Sequence, residues 1–193
     1  MPQKSQHSAF KMPSKVHITG RTSTITNSFV QAIIPQIEPS DEEITLVLEV
    51  LGMSDTGTEC SYCGAEATQW DHLNAIVRNK RPTGYITNIA NLVPACGTCN
   101  QSKGAKHWKI WMLGTAAQSP SSRRIPDIET RVERLTAFES IFETERINFE
   151  AVVDPKLWDE YWAEHENVVE SMKKAQNKAD QVWESIQVNI RTR

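Results

Sequence analysis

Two cysteine pairs, Cys60-Ser-Tyr-Cys63 and Cys96-Gly-Thr-Cys99, constrain this chain more than any other feature. A C-x-x-C turn presents two thiolates to one ion, and two such turns complete a tetrahedron. Four cysteines in 193 residues are too few for a disulfide scaffold, and a reducing compartment favours metal ligation. Buried free thiols and a redox pair are the alternatives. A site closed by four sulfurs has no open position, so the zinc it would hold is structural. It clamps two distant segments and contributes on the order of 10 kcal/mol to folding in small domains.

With 39% hydrophobic and 23% charged residues, the chain is neither a disordered polyelectrolyte nor a membrane protein. The apolar run from Ile44 to Met53 is interrupted by Glu49 and too short to span a bilayer. Met1 to Gly20 carries no apolar stretch after its basic residues, so no secretory signal is readable and a cytoplasmic location is expected. The net charge of −3 hides a partition. Residues 60–120 hold 6 Lys/Arg against 2 Asp/Glu, whereas 1–59 hold 4 against 7 and 121–193 hold 11 against 15. Lys4, Lys11, Lys15 and Arg21 all precede the first acid, Glu38. Local asymmetry of this kind is the relevant prior for polyanion binding.

Residues 1–28, rich in Ser, Thr, Gln and Lys, show no helical periodicity and read as a mobile basic arm. Residues 29–37 fit a short helix or strand ending near Pro35. Ser40 and Glu43 form a capping box for a helix that stops at Gly52. A helix is expected from about Thr98 to Leu113, with Trp108 and Trp111 in the core and His107 a surface or packing histidine. Pro120 to Pro126 reads as a linker. Ile128, Val132, Leu135, Phe138 and Phe142 then repeat at helical spacing. Asp154 and Pro155 announce a final helix whose seam (Tyr161, His165, Val168, Met172, Ala175, Ala179, Val182, Ile186) alternates steps of four and three. From Pro155 to Ile190 it would run roughly 54 Å, so it should pack on the preceding helix, on a second subunit, or on both. Trp158, Trp162 and Trp183 are expected to seal that packing. The fold class is α+β and mostly helical. It comprises a helical N-terminal segment with its basic arm (1–59), a zinc-clamped core (60–113) and a long helical extension (114–193) suited to gripping a partner or dimerising.

Between the knuckles lies Trp70-Asp71-His72-Leu73, and Asn91-Leu92-Val93-Pro94-Ala95 runs directly into the second knuckle, followed by Asn100-Gln101-Ser102-Lys103-Gly104. At these residues, about 60–109, the chain resembles the HNH endonuclease family, with its ββα-metal fold and zinc-knuckle decoration. The resemblance implies that His72 is the general base that activates water and that Asp71 is a metal ligand. It also implies that Asn91 holds the loop and orients the histidine. Asn100 stands where many members carry a last histidine, giving an H-N-N version. An amide oxygen is a hard ligand suited to Mg²⁺, with Mn²⁺ as a substitute.

The implied function is Mg²⁺-dependent hydrolysis of phosphodiester bonds in double-stranded DNA, of a restriction or defence type. Homing, mobile-element and relaxed nicking nucleases share the same motif. The competing class is a non-catalytic zinc module that binds DNA or protein. Lys103 is expected to meet a phosphate, and Arg78, Lys80 and Arg81 to be either backbone contacts or solvated loop charges. Two antiparallel strands call for two active sites, which suggests a homodimer.

Overall fold

The computed structural model describes residues 12–54 and 57–191. It is mostly helical with two small antiparallel sheets. Lys4 and Lys11 of the basic arm lie outside the described residues. The chain divides into two compact units, one uniting the segment up to Ile25 with Asp159–Arg193 and the other formed by Thr26–Trp158. Among the described residues no helix is long and apolar enough to cross a membrane.

The N-terminal region departs from the arm expected over residues 1–28. A 3-10 turn, Ile18–Arg21, leads into α1, Thr22–Ile33. Ser and Thr are weak helix formers because they compete for backbone hydrogen bonds, which masks the helix in the sequence. Tertiary burial overrides the propensity: Thr26, Val30 and Ile34, spaced by four, are all buried. α2, Asp41–Val50, has the capping box, with Ser40 Oγ accepting from the Glu43 N–H and Glu43 accepting from the Ser40 N–H. It ends before Gly52, whose φ of 71° is the left-handed conformation that terminates helices.

Strand β1, Gln69–His72, pairs antiparallel with β4, Leu92–Ala95, in the register Asp71↔Val93 and His72↔Leu92. Between them, β2 (Val77–Arg78) and β3 (Arg81–Pro82) form a hairpin. Its two turn residues, Asn79 and Lys80, have φ of 52° and 63°, as a two-residue turn matched to strand twist requires. The single helix expected over 98–113 is two: α3, Gly97–Lys103, and α4, Trp108–Met112. Gly104, at φ 49°, breaks the run, and His107 caps the second piece by accepting from the Lys109 N–H.

One apolar cluster joins Val47 and Leu51 of α2, Cys60 and Tyr62, Val93 and Ala95 of β4, Trp108, Trp111 and Met112 of α4, and Leu135 and Phe138 of α5, Ile128–Ile141. The helices α2 and α5 thus wrap the cysteine-bearing core. A short helix, α6 (Phe149–Val152), leads to α7, Pro155–Arg191, whose first turn is capped by Asp154 through Leu157 N–H at 3.0 Å.

In the other unit, the α7 seam is only partly buried. Trp162, His165 and Gln176 are covered, whereas Val182, Trp183 and Ile186 are exposed. Gln176 accepts from the Ile18 N–H at 2.6 Å, and Lys15 pairs with Asp180 at 2.7 Å and lies over the Trp183 ring. Lys15, expected on a free arm, is therefore engaged by α7.

Candidate functional site

The four cysteines converge. Their sulfurs all lie within 4.8 Å of one another, and Cys63 and Cys96 are 3.8 Å apart. A tetrahedron built on metal–sulfur bonds of ~2.3 Å has an edge of ~3.8 Å, so the cluster suits zinc. The second knuckle is also a helix start: Cys96 Sγ accepts from the Cys99 N–H and caps α3. Four thiolates around a divalent ion leave excess negative charge, and two arginines sit against it. Arg123 donates to Cys99 Sγ at 3.3 Å, and Arg131 donates to the Cys60 carbonyl at 3.1 Å. The thiols do not share protons equally. Hydrogen bonds to Cys60 and Cys99 pull Cys63 down, while bonding to Cys63 pushes Cys60 up to about 11, and bonding to Cys60 and then Cys63 raises Cys99.

The clamp brings the end of β1 beside the start of α3. Asp71, His72 and Asn100 line one cavity of about 440 Å³, together with Asn27 and Gln31 of α1 and Arg78 and Asn79 of the hairpin. Strand neighbours leave opposite faces, but His72 is the last residue of β1, and both it and Asp71 reach the cavity wall. His72 is half-buried, and burial holds its imidazole below the ordinary histidine value, so it is neutral near pH 7. Its Nε2 lies 2.8 Å from Thr87 Oγ1, a partner with no sequence signal. The Thr87 backbone is in turn bound to the chain after α1, through Thr87 N–H to the Pro35 carbonyl and Ile37 N–H to the Thr87 carbonyl.

Asn91 is fully buried. Its carboxamide accepts from the Asn74 N–H at 2.8 Å and donates to the Asn74 and Ile86 carbonyls. It therefore ties together the loop that leaves His72 and the segment that returns to β4. Asn100 donates to Gln69 Oε1 at 2.7 Å, which leaves its amide oxygen as the acceptor. Asp71 uses one oxygen, Oδ2, for both the Tyr62 hydroxyl (2.7 Å) and the Lys103 ammonium (3.0 Å). Its second oxygen and that of Asn100 form a hard donor set that fits Mg²⁺ better than a soft ion.

Lys103 corrects the sequence expectation. It is 0% exposed, paired with Asp71 and donating to the His72 carbonyl at 2.8 Å, so it cannot reach a phosphate. Its helical spacing from Asn100 is as expected, but the side chain turns inward because β1 buries a carboxylate that needs a counter-charge. Arg78 and Lys80 are exposed and Arg81 half-buried at the hairpin tip. Trp108 and Trp111 are core residues, and His107 is exposed.

Compared with protein families, residues 60–106 match the model of the HNH endonuclease family. No curated protein and no solved structure matches the chain.

The zinc clamp predicts one zinc per chain. Its removal by a strong chelator, or Cys63→Ser, abolishes cooperative melting of the core, read by colorimetric metal release alongside circular dichroism. Lys103→Met leaves Asp71 buried and unpaired, an expected loss of ~3–5 kcal/mol in denaturant unfolding. The double variant Lys103→Met, Asp71→Asn recovers most of that loss, because no buried charge remains.

Proposed function

We propose that this chain, built around an HNH endonuclease domain at residues 60–106, is a Mg²⁺-dependent endonuclease that hydrolyses phosphodiester bonds in double-stranded DNA. A restriction or defence role is the biological setting we assign to it. The supporting observation is that one cavity is lined by His72, whose imidazole burial keeps neutral, together with Asp71 and Asn100. A purely DNA- or protein-binding zinc module leaves that grouping without a purpose.

A phosphodiester repels nucleophiles, and its alkoxide leaves poorly. His72 takes a proton from water, a contribution of roughly 10²–10⁴-fold. The Thr87 hydroxyl holds the ring through Nε2, and in the tautomer whose Nε2–H donates to Thr87 Oγ1, Nδ1 is the nitrogen that takes the proton. Asp71 and Asn100 are the residues that would hold a divalent ion, and Tyr62 and Lys103 keep the Asp71 carboxylate in place. When bound, the ion supplies charge stabilisation to the phosphate and the departing 3′-oxygen. The products carry 5′-phosphate and 3′-hydroxyl ends.

Residues 60–113 act as the catalytic module in this reading, with 1–59 and 114–193 gripping DNA or a second copy. Arg78, Lys80 and Arg81 flank the cavity and contact the backbone. In α7, Val182, Ile186 and Ile190 are exposed and fall within about 80° of one another on a 3.6-residue helix. This apolar stripe is the proposed dimer seam, which would give each strand of a duplex its own active site.

His72→Ala is expected to slow plasmid cleavage by at least 100-fold while leaving DNA affinity, read by fluorescence anisotropy, unchanged; full activity would remove the assigned base. Replacing Arg78, Lys80 and Arg81 together by Ala should flatten the dependence of log affinity on log salt by up to about 0.9 per lost phosphate contact. An unchanged slope would place the backbone contacts elsewhere. In sedimentation, the protein should run at twice its 21.8 kDa chain mass, and Ile186→Glu should return it to a monomer.

A further inference from the structure

Helix α1 carries no Asp, Glu, Lys or Arg among its 12 residues, in a chain that is 23% charged. Surface helices ordinarily keep a charged face toward water. Here the inward stripe is Thr26 and Val30, and the outward residues include Ser23, Asn27 and Gln31, all exposed. Asn27 and Gln31 stand four residues apart, on one face, and both line the cavity that holds Asp71, His72 and Asn100. Neither carboxamide has a protein partner among the described residues. The helix is also held to the catalytic residues. Val30 and Ile34 are buried, and the chain just beyond hydrogen-bonds the backbone of Thr87, the residue that contacts His72.

A neutral wall beside a phosphodiester-cutting cavity is poorly suited to phosphates, which are gripped by cations, as the Arg78 side of the same cavity offers. Carboxamides instead match base edges. Asn and Gln pair bidentately with adenine in the major groove, and they distinguish A·T from G·C in the minor groove. We propose that α1 is the sequence-reading wall of this nuclease, with Asn27 and Gln31 contacting base edges next to the scissile phosphate and favouring A·T pairs there. This rests on the reading of the cavity as a DNA-cleaving site.

A random-sequence duplex library bound by the His72→Ala protein, then recovered and sequenced, tests the proposal without cleavage. An A·T preference of about fivefold or more over one or two neighbouring positions is expected, the lower end of one good bidentate contact. It should flatten in His72→Ala proteins that also carry Asn27→Ala, Gln31→Ala or both, with melting temperature unchanged because both side chains are exposed. A library recovered without base preference, or a preference the α1 variants leave intact, would overturn it. Fragment-end sequencing of plasmid cut by the protein with His72 intact should show the same bias beside the cut. If that protein cuts no plasmid with Mg²⁺ or Mn²⁺, the nuclease reading fails, and the binding selection still decides whether α1 reads sequence.

Discussion

The convergence of four sulfurs on one point is the constraint on which the rest of the molecule depends. It fastens the turn at Cys60–Cys63 to the turn at Cys96–Cys99, and the β1–β4 pairing lies between these two fixed ends. The clamp does more than close a loop. Tyr62 sits inside the first knuckle, fully buried, edge-on to Trp111, and its hydroxyl ends on Asp71. One side chain therefore links the zinc turn to a carboxylate of the candidate catalytic cavity. The second knuckle performs the same double duty, since Cys96 caps the helix that carries Asn100. Positioning by a structural metal is well suited to a short segment that could not build a rigid core from apolar residues alone.

Electrostatics then shapes the cavity floor. A carboxylate at the end of β1 would be costly if buried alone, and Lys103 offsets that cost while also holding the His72 backbone carbonyl. The same pairing narrows what Asp71 can do, because one of its two oxygens is already committed to Tyr62 and Lys103. Burial keeps His72 neutral, the protonation state a general base requires. Asn91 contributes through backbone bonding alone, closing the loop around the histidine.

Where the sequence was informative, it was so through local rules. The knuckles, the Ser40 capping box, the Asp154 start of α7 and the heptad-like run of α5 each depend on residues within one or two turns of each other, and each reappears in the structure. The joint motif around Asp71, His72, Asn91 and Asn100 was legible for a different reason: its spacing is unusual enough to be specific. Local rules fail where a long-range contact outweighs local preference. α1 looked like an unstructured arm because Ser and Thr favour it, until burial of Thr26 and Val30 is considered. Lys103 looked solvent-facing because nothing local says that its neighbour across the fold is a buried acid.

The residues alone thus determined which chemical groups are on hand: the sulfur quartet, the imidazole, the carboxylate and the carboxamide, since residue type and spacing are written in the chain. Tertiary structure decided how that chemistry is partitioned. It turned Lys103 inward, brought Thr87 to His72, divided the helix after Asn100 at Gly104, and set α1 along the cavity wall. The physical reason is common to all four. Each outcome depends on which buried charges, polar atoms and apolar faces must be satisfied by partners distant in sequence, and those partners are assigned only when the chain closes on itself.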